Sequence, residues 1–340
     1  LTSLMLKEAR AAANAVAAQF TQNTAIYAEL GAKLRAQPPR SVVTIARGSS
    51  DHASAYFAYL VMAQLGKLVT SLPMSLITLY RSPIEAADVL AVAVSQSGQS
   101  PDLIGPMRYL RDGGATTVAM VNDPASPLAE ASEWVLPLVA GPEKSVAATK
   151  SFITSLTASA ALVAHWANDE PMLAALKQLP EQLALASVQD WSTAFKIFCD
   201  ADRIMVLGRG WSHSIAMEAA LKFKETCAIQ AEAFSSAEVK HGPMALVEEG
   251  YPILIFATRG PAQEGLITTA QEMRARGARV ILAAPPDVAE RDLTLFTADV
   301  PALDPILAIQ SFYIMVEAVA RLRGFDPDTP RHLSKVTKTN

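Results

Sequence analysis

Three groups of residues in this chain have types and spacings that could do chemistry. The first is Val94-Ser95-Gln96-Ser97-Gly98-Gln99-Ser100, directly after the apolar run Val89 to Ala93. A buried run that stops at small hydroxylated residues and a glycine predicts a parallel strand, a loop and then a helix. The unpaired N–H groups opening that helix, the hydroxyls of Ser95, Ser97 and Ser100 and the amide of Gln96 could hold a phosphate, and Gly98 lets the main chain come close. The same residues also suit ordinary helix capping. The second group is Glu218, Lys222 and Glu225, which share one face of a helix predicted over Ile215 to Cys227. They read either as an exposed ion-pair stripe or as a carboxylate held beside a lysine in a pocket, tuned to move a carbon-bound proton. The third is His241 within Lys240-His241-Gly242-Pro243. A histidine boxed by glycine and proline sits on a fixed turn, as an acid or base near neutral pH or simply as a turn residue bonding the backbone.

The elements that must position these groups follow from the pattern around them. Residues 1–36 carry helical periodicity through Leu4, Leu6, Ala9, Ala13, Val16 and Phe20, which predicts an N-terminal helical arm. Strands are expected over Ser41 to Ala46, Val89 to Ala93, Thr116 to Val121 and Glu133 to Leu138. Helices are expected over Ala53 to Leu65, Leu103 to Arg111 and Thr149 to Trp166. Such alternation makes a mostly parallel sheet covered by helices on both faces. Residues 168–200 read as a helical connection interrupted by Pro171 and Pro180.

The pattern then repeats. Arg47-Gly48-Ser49-Ser50-Asp51-His52 is echoed by Arg209-Gly210-Trp211-Ser212-His213. Arg111-Asp112-Gly113-Gly114-Ala115 is echoed by Arg274-Ala275-Arg276-Gly277-Ala278, and Ser95 falls opposite Thr258. The offset is constant to within one residue, which predicts a duplicated α/β unit. Where the first copy has its hydroxyl loop the second has Thr258-Arg259-Gly260-Pro261, so a single phosphate pocket is expected, in the first half.

Composition narrows the functions. Hydrophobic residues make up 51% of the 340 positions, enough for two cores, and the net charge of −4 with no block of like charge argues against nucleic acid. The apolar stretches Ala53 to Ala63 and Leu156 to Ala164 are too short to cross a bilayer, and no secretory signal stands at Leu1. Two cysteines, Cys199 and Cys227, provide neither a disulfide framework nor a cysteine-rich zinc site and fit a reducing cytoplasm. His52, His165, His213, His241 and His332 show no metal-ligand spacing, and no metal or redox cofactor is expected. The chain starts with leucine, which leaves open whether residues precede it.

Six ordered motifs carry a family resemblance. Ser95-Gln96-Ser97-Gly98, Ala147-Ala148-Thr149-Lys150, Leu207-Gly208-Arg209-Gly210, Glu218 to Glu225, Lys240-His241-Gly242-Pro243 and Pro330-Arg331-His332-Leu333-Ser334-Lys335 occur in the order found in the double sugar-isomerase (SIS) domain family. Within it the chain resembles the isomerase half of the glutamine:fructose-6-phosphate amidotransferases, from about Ala9 to Thr337. The resemblance implies two tandem SIS domains, each a three-layer αβα unit. A helical arm would cover 1–36, the first, phosphate-binding SIS domain 37–167, a helical linker 168–200, the second SIS domain 201–325 and an active-site tail 326–340.

It also implies roles. Ser50, Ser95, Gln96, Ser97 and Ser100 match positions that bind the sugar 6-phosphate, Ser49 and Val146 match residues lining the sugar, and Ser334 of the tail motif is expected to bind the substrate with them. Glu225 matches the carboxylate that shuttles a proton between C1 and C2, with Lys222 beside it. His241 matches the ring-opening histidine contributed across a homodimer interface, and Lys335 the lysine that condenses with the open-chain carbonyl. Departures from the pattern are Arg47 for a small residue or cysteine, Ala148 for a serine, Gln99 for an acidic residue, Gln230 for a histidine, and Ser49 and Ser100 for threonines. No cysteine nucleophile for glutamine stands ahead of these domains in the sequence, so glutamine-independent chemistry is expected. That means a glucosamine-6-phosphate deaminase yielding fructose 6-phosphate and ammonia. A deglycase of a phosphorylated sugar–amine conjugate, the isomerase part of a longer aminotransferase and a non-catalytic sugar-phosphate binder remain open. The presence of Glu225, His241 and Lys335 together argues against the last.

Overall fold

The computed structural model describes residues 2–335; the part of the expected tail at 336–340 lies outside them. The chain divides into two compact units. One comprises Asn14–Glu143, Lys150–Lys177 and Lys335; the other comprises residues 2–13, Lys144–Thr149 and Gln178–Ser334.

The sheet of the first of these is built from β1 (Ser41–Ile45), β2 (Val69–Ser71), β3 (Val89–Ser95), β4 (Thr116–Val121) and β5 (Trp134–Pro137). All its pairings are parallel, in the order β2-β1-β3-β4-β5, with Val42 opposite Leu90 and Leu90 opposite Thr116. Every residue of β3 is buried, which requires cover on both faces and accounts for its unbroken apolar run. The helix Lys150–Ala167 is buried along almost its whole length. Its serines satisfy themselves by bonding back one turn, Ser155 Oγ to Ser151 O at 2.7 Å and Ser159 Oγ to Ser155 O at 2.8 Å. Gly31 in the helix Ala12–Ala36 marks a close approach, since a Cβ there would lie 2.7 Å from the backbone of His165.

The sheet of the other unit contains β6 (Arg203–Gly208), β7 (Gln230–Ser235), β8 (Pro252–Phe256), β9 (Arg279–Ala284) and β10 (Leu293–Thr294). It is parallel throughout, in the order β7-β6-β8-β9-β10. Counted from its own first strand this is the same 2-1-3-4-5 order, so the duplication expected from the loop echoes extends to topology. In such sheets the crossover direction reverses between the first and third strands, and ligands bind at the carboxyl ends of those strands.

Three expectations need correction. The helical arm is two helices, Leu4–Arg10 and Ala12–Ala36. Pro180 does not interrupt the connection: the helix Glu170–Ala186 runs through it, since burial of Met172, Ala175, Leu176, Leu179, Leu183 and Ala186 outweighs one lost backbone bond. Pro301–Leu322 is long and apolar enough to cross a membrane, contrary to the expectation that no stretch is. Its window is 89% buried within the fold, as a core helix is, with Phe312 edge-on to Phe223 at 5.2 Å.

Candidate active site

The loop after β3 shares a cavity of about 340 Å³ with the end of β1, and Arg47, Ser50, Ser95, Gln96, Ser97, Ser100 and Lys335 line it. This is the switch point of that sheet. Two helices, Ser49–Leu65 and Pro101–Asp112, begin here and bring their positive dipole ends to one place. Ser95 Oγ accepts from Gly98 N at 3.0 Å and Ser97 Oγ from Gln99 N at 3.3 Å, so each hydroxyl is oriented through its oxygen and keeps its proton for a further acceptor. Ser100 holds the N-cap position of Pro101–Asp112 yet its side chain makes no cap bond, so simple capping does not account for it. Ser49 is in the first turn of its helix but is not among the cavity-lining residues.

Gly98 is irreplaceable here. Its φ is +64°, and a Cβ would lie 2.5 Å from Ser126 Cβ and 2.8 Å from Val121 Cγ2. Gly98→Ala is expected to displace the loop and remove phosphate binding while the sheet persists, checked by calorimetric titration beside circular dichroism.

Lys335 enters the same cavity. Its Nζ lies 3.1 Å from Glu143 Oε2, with side-chain exposures of 22% and 0%. Ser151 holds Glu143 through its N–H at 3.1 Å and its hydroxyl at 2.5 Å. A tail lysine with no apolar neighbours reads as solvated in the sequence; a buried carboxylate is what draws it in. Nothing in the spacing around Glu143 signals this partner.

In the other unit the loop after β8 carries an internal ion pair. Arg259 follows β8 as Gln96 follows β3, and its Nε and Nη2 grip the Asp304 carboxylate at 2.8 and 2.7 Å. Burial pushes the Asp304 carboxyl up, against the pull of Arg259 and of Ala298 N–H.

The stripe on the helix His213–Cys227 is buried, not exposed. Glu218 and Lys222 are 0% exposed and Glu225 is 19% exposed. Lys222 Nζ lies 3.3 Å from Glu218 Oε1 and in direct contact with Glu225 Oε2, and Tyr313 donates to Glu218 Oε1 at 3.0 Å. Burial by itself would drive the Lys222 ammonium down, but the two carboxylates outweigh it and hold the group above the usual lysine range. Lys222 is therefore a fixed cation, and Glu225 is the member of the cluster that reaches a surface. It borders a cavity of about 420 Å³ together with Arg331 and His332. Val146 is tied to the start of that tail, its N–H donating to Asp328 O at 3.1 Å. Ser334 is exposed.

His241 ends the 3₁₀ turn Glu238–His241, before Gly242 with φ +145°. It is exposed and lines a different cavity, of about 530 Å³, with Arg209, Ser236 and Lys240, so this unit does not gather His241 with Glu225. Burial pushes the Cys227 thiol up to about 12 and raises Cys199 as well, so neither is poised as a nucleophile.

Two repeated, doubly wound α/β units, one with a hydroxyl-lined cavity at its switch point, define a duplicated protein of the α/β class. The chain belongs to the SIS domain family, which matches residues 37–165 and 197–284. Among curated relatives it is 32% identical over 326 residues to the glutamine–fructose-6-phosphate aminotransferase of Thermus thermophilus, covering 90% of this chain and 53% of that protein. Its identity to the same enzyme of Zymomonas mobilis is 35% over 273 residues, 75% of this chain and 45% of that one. The chain thus spans about half the length of the curated relatives it matches. Among solved structures, a candidate phosphosugar isomerase from Silicibacter pomeroyi superposes with a TM-score of 0.92 at 42% identity, covering 96% of this chain and all of that one. The C-terminal domain of the Francisella tularensis glucosamine-fructose-6-phosphate aminotransferase gives 0.83 at 27%, with coverage of 97% and 99%. A glucosamine-6-phosphate deaminase from Thermotoga maritima shares the fold, at 0.77 and 23%, with coverage of 99% and 100%.

Proposed function

We propose that this chain is a hexosamine-6-phosphate isomerase-deaminase that converts glucosamine 6-phosphate and water to fructose 6-phosphate and ammonia. The observation that carries the reading is the buried Glu218–Lys222–Glu225 cluster, which leaves a single carboxylate, Glu225, fixed beside a permanent cation and open to a cavity. Such a carboxylate can take a proton from carbon and return it one atom along.

In this reading the Ser95–Ser100 loop and Ser50 hold the 6-phosphate, with Ser49, Val146 and Ser334 along the sugar. His241 opens the ring by moving a proton from the anomeric hydroxyl to the ring oxygen. Glu225 then removes the C2 proton, acidified by the C1 aldehyde, and delivers it to C1, while a proton passes from the amine nitrogen to O1. The product is an imine at C2. Lys335, having given its proton to Glu143, adds to C2; ammonia leaves, and water releases the ketone and restores the lysine amine. The separation of His241 from Glu225 within its own unit supports a homodimer in which each histidine serves the partner subunit's site.

The names of the curated relatives favour a second reading, in which the chain performs the isomerising step of an aminotransferase and forms glucosamine 6-phosphate from fructose 6-phosphate and supplied ammonia. Sustained ammonia release from glucosamine 6-phosphate by the purified chain, over many turnovers and without glutamine, is the expected result. Formation of glucosamine 6-phosphate with no measurable release would overturn the deaminase in favour of the second reading. No turnover in either direction, with sugar phosphate still bound, would leave the deglycase or the binder.

A further inference from the structure

Arg47 stands just after the end of β1, in the cavity bordered by the Ser95–Ser100 loop. Its Nε donates to Asp102 Oδ2 at 3.0 Å, and the two side chains differ sharply in exposure, 60% for Arg47 and 4% for Asp102. Asp102 lies in the first turn of the helix Pro101–Asp112, immediately after the loop. A buried carboxylate there would oppose an incoming phosphate unless a cation compensated it. Arg47 does so through one nitrogen only: among the described residues, neither terminal nitrogen of its guanidinium bonds to the protein. The arrangement at Lys335 is similar, with the buried Glu143 holding an ammonium at the same cavity. Two buried carboxylates therefore present two cations to one space.

We propose that Arg47 is a phosphate ligand of this cavity, anchored through Nε by Asp102 so that its two terminal nitrogens form a fork for a phosphomonoester dianion. The proposal rests on reading the Ser95–Ser100 loop as a phosphate site. An arginine fork matches two phosphate oxygens with parallel hydrogen bonds, which an ammonium cannot do. Arg47 thus converts a loop of neutral donors into a charged receptor and makes the phosphate, more than the sugar, the dominant handle on the substrate.

The test is isothermal titration of the full chain with fructose 6-phosphate and, separately, inorganic phosphate, at fixed ionic strength. Arg47→Ala is expected to weaken both by about ten- to hundred-fold, as loss of charge-assisted hydrogen bonds does. Arg47→Lys keeps the charge without the fork and recovers only part of that loss. Because Arg47→Ala strands a buried carboxylate, the double variant Arg47→Ala/Asp102→Asn is measured alongside; it removes the whole pair without changing net charge and is expected to show the same loss. Binding within about two-fold of the parent in both alanine variants overturns the proposal, and full recovery by Arg47→Lys overturns the fork. If the unaltered chain binds neither probe, the phosphate reading fails and this inference with it, an outcome distinct from unchanged binding in the variants.

Discussion

Glu225→Gln is expected to lower ammonia release from glucosamine 6-phosphate by about 10²- to 10⁴-fold, the range lost when a positioned general base is removed. The amide keeps the size and hydrogen-bonding capacity of the carboxylate but cannot accept a proton at pH 7. Lys222 touches Glu225 through Oε2, and that contact survives if the amide oxygen takes the place of Oε2. Phosphate affinity should therefore stay within a few-fold of the parent, because no part of the anion cavity is altered. The readouts are turnover, exchange of solvent deuterium into C1 of fructose 6-phosphate, and titration with inorganic phosphate. If Glu225 carries the proton, exchange falls with turnover. Exchange at the parent rate in the variant would reassign the proton to another group.

The second large effect is on stability. Lys222→Met removes the cation between Glu218 and Glu225 and leaves the fully buried Glu218 carboxylate without it, beside the Tyr313 hydroxyl. Breaking a buried pair from one side costs about 3–5 kcal/mol, whereas removing both charges is close to neutral. Thermal unfolding should shift down by about 2–4 °C per kcal/mol, and Glu218→Gln/Lys222→Met should recover most of the loss. The pH dependence has a definite sign. The folded protein holds the Lys222 proton more tightly than the unfolded chain does, so the stabilisation is fully present below the ordinary lysine value of 10.5 and fades as pH rises above it through the folded value. The difference between parent and variant is expected to be level from pH 6 to 9 and to narrow above about 10.5. An equally stable Lys222→Met chain at pH 7 would show that the cluster is not held as an ion pair.

The residues that announced the fold were those whose environment is local. Val89 to Ser95 is apolar because both sheet faces are covered, so its pattern names its place directly. The paired loops at Arg47 and Arg209 could be aligned because each follows the first strand of a unit whose topology forces a sharp turn there. Short edge strands were not visible: Val69–Ser71 and Leu293–Thr294 are too brief for periodicity to speak, and Gln230–Ser235 mixes polar and apolar residues as an edge permits.

The candidate site divides in the same way. Its serines, Gly98, Glu225, Lys222 and His241 could be picked out because loop composition, helical spacing and turn chemistry are properties of neighbours in the chain. Whether the Glu218–Lys222–Glu225 face was exposed or buried could not be read, since helical spacing is identical in both cases; packing around the helix His213–Cys227 decides it. Asp102 and Glu143 went unnoticed because each acts on a residue far away in sequence, Arg47 and Lys335. The duplicated α/β architecture, the position of the hydroxyl loop after β3 and the residue types in the candidate site are legible along the chain, because those follow from periodicity and from short-range backbone chemistry. Tertiary structure alone decided which charges are buried and what each is paired with, because desolvation and Coulomb attraction depend on distances through space that no spacing along the chain encodes.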